Sequence, residues 1–66
     1  MTYGIKAQDT LIAAGVPFTT EEFLSGFWGT RIIFENRKDA KAAEKALGER
    51  DVCRRYWKRW AITYYQ

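Results

Sequence analysis

The sequence predicts a small α+β domain: two short N-terminal helices, then strand–helix–strand, with a small sheet packed on one helix. Three observations predict it. Ala40, Ala43 and Leu47 form a stripe at helical spacing in a run of good helix formers. On either side, residues 30–35 and 56–65 are rich in β-branched and aromatic side chains, which suit a pleated surface. Gly15 with Pro17, Gly26 with Gly29, and Gly48 punctuate the chain where elements must end.

Taken in order, residues 6–14 read as a helix. Ala7, Leu11 and Ala14 share one face with Ile12 beside them, and Gly15 and Pro17 stop it. Tyr3 to Lys6 is a candidate short edge strand. Thr19-Thr20-Glu21-Glu22 fits a capping box, with Thr19 as N-cap and Glu22 three residues on; Phe18 and Phe23 would make the accompanying staple. This predicts a second helix over residues 20–26, forming an αα-corner with the first. Gly26-Phe27-Trp28-Gly29 then reads as a turn that tucks two rings into the core. Residues 30–35 form a strand with Ile32 and Phe34 on one face. Asn36 caps a helix over Arg37–Leu47, whose Lys41, Glu44 and Lys45, with Glu49 beyond, form a solvated face.

The C-terminal stretch admits two geometries. As a strand, Tyr56, Lys58, Trp60, Ile62 and Tyr64 point one way and Trp57, Arg59, Ala61, Thr63 and Tyr65 the other. As a helix, Val52, Cys53, Tyr56, Trp57, Trp60 and Ala61 form an apolar stripe opposite Arg54, Arg55, Lys58 and Arg59. The strand–helix unit upstream favours a strand over residues 56–65.

Composition bounds the rest. Sixty-six residues make a single domain, 1–66. A domain of this size buries only about 60% of its unfolded surface. With no histidine and one cysteine, the chain has no internal disulfide, no structural zinc set and no imidazole for acid–base or nucleophilic work. No metal or cofactor is expected. Glu21 and Glu22 diverge on a helix and serve its N-terminus, so no catalytic residue is expected either. Cys53 beside Arg54 and Arg55 reads as a thiol activated by positive charge or as a small apolar filler. No signal-peptide pattern and no apolar run near the ~20 residues of a membrane span is present, so the expected location is cytoplasmic, away from the membrane. Two strands alone are barely self-supporting, which raises the prospect of a homodimer or a docked partner.

Charge is uneven. Residues 1–30 carry one base and three acids, residues 31–49 five bases and four acids, and residues 50–66 five bases and one acid. Five of the eleven aromatics fall in that last stretch. Interleaved cations and rings suit phosphates and base faces. They equally suit a protein hot spot. The candidate binding residues are Arg54, Arg55, Trp57, Lys58, Arg59, Trp60, Tyr64 and Tyr65.

The run from Arg31 to Gly48 resembles the third strand and second helix of an RNA recognition motif. With Phe34 at the last position of that family's signature, its two upstream stacking aromatics fall on Gly29 and Arg31. The resemblance therefore implies a strand–helix unit and transfers no binding residue. The compact, histidine-free composition resembles phage-encoded accessory proteins, including anti-CRISPR proteins, which implies an inhibitor or adaptor. The expected function is a non-catalytic module that binds nucleic acid or an acidic, nucleic-acid-handling protein. The alternative is a small phage-type inhibitor that blocks a protein partner.

Overall fold

The computed structural model describes residues 2–65. Six elements follow one another: α1 (Ile5–Ala13), β1 (Thr19–Ser25), β2 (Phe27–Phe34), α2 (Arg37–Leu47), β3 (Arg54–Tyr56) and β4 (Arg59–Tyr65). The strands form one antiparallel sheet in the order β1-β2-β4-β3. Two hairpins, β1–β2 and β3–β4, are thus joined through α2 and zipped together by β2 against β4. The fold class is α+β, as the sequence predicts, but the arrangement differs at both ends.

The second N-terminal helix is a strand. Thr19 to Ser25 pairs residue by residue with β2, from Thr19 opposite Ile33 to Ser25 opposite Phe27. Gly26, at φ 77°, makes the reversal between Ser25 and Phe27. A seven-residue helix held by one capping box lies well below the ~12–15 residues at which isolated helices persist. As a strand the same residues gain a full ladder. The acids of the supposed box take other partners: Glu21 lies opposite Arg31 and pairs with it at 2.9 Å, and Glu22 accepts from the Thr2 hydroxyl at 2.6 Å. The αα-corner therefore does not form, and α1 packs on α2 instead. Nor does residue 3–6 form an edge strand, because Gly4 is the N-cap of α1.

The C-terminal stretch is neither a continuous strand nor a helix. Trp57 and Lys58 form a two-residue loop between the paired Tyr56 and Arg59. The predicted alternation holds along β4, but the turn places Tyr56 beside Arg59 rather than on the face of Trp60. The sheet has four strands rather than two, so the physical reason for expecting a dimer does not arise.

Both helices cover one face. Leu11 of α1, Ile32 and Phe34 of β2, Ala40 and Ala43 of α2 and Ile62 of β4 form one buried cluster with Val16. The two alanines let α2 approach the sheet closely. Trp60 and Tyr64 pack against this cluster from β4, with Phe18, Leu47, Val52 and Cys53 around them. The Asn36 cap forms as expected: its side chain accepts from the Asp39 N–H at 2.9 Å.

Glu44 does not join the solvated face. It is buried, accepts from the Cys53 N–H at 3.2 Å and pairs with Lys41 at 3.2 Å. It thus ties the loop before β3 back onto α2. Burial alone would raise its pKa, but the hydrogen bonds from Cys53 and Lys41 outweigh that and hold it below the ordinary carboxylate value. Burial, and then the charge of Glu44, push the Cys53 thiol up to about 11. The thiol donates to the Ala40 carbonyl at 3.4 Å, the behaviour of a protonated filler rather than an activated nucleophile.

The open face of the sheet as candidate binding surface

Ile32, Phe34 and Ile62 point to the helices, so their neighbours along each strand point away. Phe27, Gly29, Arg31 and Ile33 of β2 and Arg59, Ala61, Thr63 and Tyr65 of β4 form the centre of this second face. Register adds Glu21, Phe23 and Ser25 from β1 and Arg54 and Tyr56 from β3. Neither helix covers it. Ile33 and Ala61 are nevertheless buried here, apart from the main cluster.

Arg31 organises the middle of the face. Its guanidinium lies 4.4 Å from the ring centroid of Phe23 and 4.4 Å from that of Tyr56. It also pairs with Glu21 at 2.9 Å and donates to the Tyr56 hydroxyl at 3.4 Å. Two cation–π contacts and one ion pair thus satisfy this cation within the fold. Phe23 lies over Gly29, where a Cβ would fall 2.5 Å from its Cζ; the missing side chain makes room for the ring. Phe23 in turn meets Tyr65 edge-on, with centroids 5.9 Å apart and an interplanar angle of 87°.

A shallow depression lies on each side of this centre. One, of about 530 Å³, is lined by Phe23, Ser25, Phe27, Arg31 and Tyr65. The other, of about 360 Å³, is lined by Glu21, Tyr56, Trp57, Lys58 and Arg59. Both ends offer accessible rings: Phe27 is 64% exposed, Tyr65 61% and Trp57 83%. Arg54, Lys58 and Arg59 are exposed along the β3–β4 side, with Arg59 3.5 Å from Glu35.

The structure divides the candidate residues between two faces. Arg54, Trp57, Lys58 and Arg59 gather on the open face or its rim at one end, and Tyr65 lies on the same face at the other end of β4. Arg55, Trp60 and Tyr64 stand on the helix side, where both rings pack on the core and the Arg55 guanidinium lies 5.2 Å over Trp60. Phe23, Phe27, Arg31 and Tyr56 join the open face without having been singled out. The available signal was Gly26 between two runs of β formers, a turn pattern; that Phe23 and Phe27 share a side follows from the register, with Ser25 opposite Phe27. The turn at Gly26 does not bury its rings: Phe27 and Trp28 are both exposed, Trp28 together with Leu24 on the reverse side of the β1–β2 hairpin.

Among the described residues no helix is long and apolar enough to cross a membrane. No protein-family model matches the chain, and comparison with curated proteins and with solved structures gave no match.

Proposed function

We propose that this chain is a non-catalytic binding module that takes single-stranded nucleic acid on the open face of its sheet. One observation carries the reading: an uncovered antiparallel face presents exposed rings at both ends, with cations along one side. Rings stack on any base, because every base has a π-face, and the cations neutralise phosphates. A duplex hides its base faces and would use the charge alone. The preference for single strands therefore follows from Phe27, Tyr65 and Trp57 and not from the basic residues.

Binding measured by fluorescence anisotropy with a labelled oligothymidylate should weaken steeply as salt rises. Replacing Lys58 and Arg59 by glutamine should reduce the magnitude of the log–log salt slope by about one to two units. No binding at low salt, or binding indifferent to salt, would sink the reading.

A second reading is favoured by Leu24 and Trp28, apolar and exposed on the reverse of the β1–β2 hairpin, away from the cations. On that reading the chain is a small inhibitor or adaptor that docks a protein through this hairpin. The same double variant distinguishes the two, since it would leave such a complex intact.

A further inference from the structure

The β3–β4 loop is strained at one residue. Two-residue hairpin loops ask for a positive φ at their first position, where glycine, asparagine and aspartate are the usual occupants. Here that position is Trp57, at φ 56°. For a bulky aromatic this conformation is a genuine outlier, because Cβ crowds the following carbonyl. The fold gives little back for it, since the side chain is 83% exposed. Strain kept at an exposed ring beside two cations points to a use outside the fold.

We infer that Trp57 is a pre-positioned stacking finger that takes an end base of a single strand lying across the open face; this rests on the nucleic-acid reading above. The depression beside it is lined by Glu21, Tyr56, Lys58 and Arg59, and Glu21 is paired with Arg31, so a base against the ring brings its phosphate towards two cations. Phe27 and Tyr65 offer the second ring station at the opposite end of the sheet. From Arg59 to Tyr65, β4 spans about 20 Å at the usual rise of a strand. The two stations thus bracket a short site, towards the lower end of the ~4–16 nucleotides seen for single-strand modules. The turn fixes the direction in which the Trp57 Cβ leaves the backbone before the ligand arrives, which removes part of the ordering cost of binding.

The test is Trp57→Asn, because asparagine accepts the left-handed backbone and carries no ring. The variant should melt about 4–8 °C above the wild type, as relief of strain in a domain this small predicts. Its affinity for a labelled oligothymidylate should fall about tenfold, the loss of one stacked base. The salt slope should stay unchanged, since a ring and not a charge is removed. Trp57→Tyr should recover most of the affinity. Wild-type affinity in Trp57→Asn, or equal weakness in Trp57→Tyr and Trp57→Asn, would overturn the finger and leave the nucleic-acid reading standing. A lower melting temperature in Trp57→Asn would overturn the strain argument. Failure of the wild type itself to bind at low salt would remove both.

Discussion

Phe34→Ala is expected to remove a large share of the domain's stability and to bring its urea midpoint well below that of the wild type. Phe34 is fully buried and is the largest side chain so enclosed. It stands at the end of β2, in the cluster shared by both helices and the two central strands. Truncating a buried phenylalanine costs about 3–5 kcal/mol in lost transfer and in the cavity left behind. A domain of this length has a total stability of about 3–10 kcal/mol. No disulfide is available to make up the loss, since Cys53 is free. Circular dichroism through a urea titration checks this: the midpoint should fall to low urea, with Phe34→Leu intermediate. A variant that unfolds at the wild-type midpoint would show that the core lies elsewhere.

Removal of the Glu44 carboxylate should give the next largest loss. Glu44→Ala leaves the Cys53 N–H without its acceptor and Lys41 without its partner, at a cost of about 1–3 kcal/mol. The same carboxylate sets a pH dependence. Its pKa is lower in the folded chain than in the unfolded one, so its contribution is fully present above the ordinary glutamate range. That contribution is lost as pH falls through the lower folded value. The wild-type melting temperature should therefore drop on acidification through this window. Glu44→Gln, whose amide oxygen still accepts from Cys53, should show a shallower drop. Parallel melting curves of the two proteins from neutral to acid pH decide the matter; identical slopes would mean that Glu44 is not held below its ordinary value.

What could be read from the sequence was local. The helix over Arg37–Leu47 carries its own cap, stripe and terminal glycine, and forms within the predicted bounds. Ile32 and Phe34 fall on the core face because a two-residue period needs no partner to be recognised. The errors lie where a non-local pairing decides. Thr19 to Glu22 satisfies a helix cap as written, and only the ladder with β2 makes it a strand. The β3–β4 turn was hidden for a different reason. Its first residue is a tryptophan where turn chemistry would place glycine or asparagine, so the feature proposed as the binding finger is also the one that concealed the hairpin. The basic cluster was visible from composition. The Phe23–Arg31–Tyr56 stack was not, because it joins the β1–β2 hairpin to β3, which lies beyond α2 in sequence and on the far side of β4 in the sheet.

The central claim is that ligand lies on the uncovered face of the sheet. Amide chemical shifts, followed by NMR during titration with an oligothymidylate at low salt, test this most directly. Shifts are expected at Gly29, Arg31, Thr63 and Tyr65 and at Trp57, Lys58 and Arg59, with the outer faces of α1 and α2 silent. Shifts confined to the helices or to the reverse of the β1–β2 hairpin, or none at all, would contradict it.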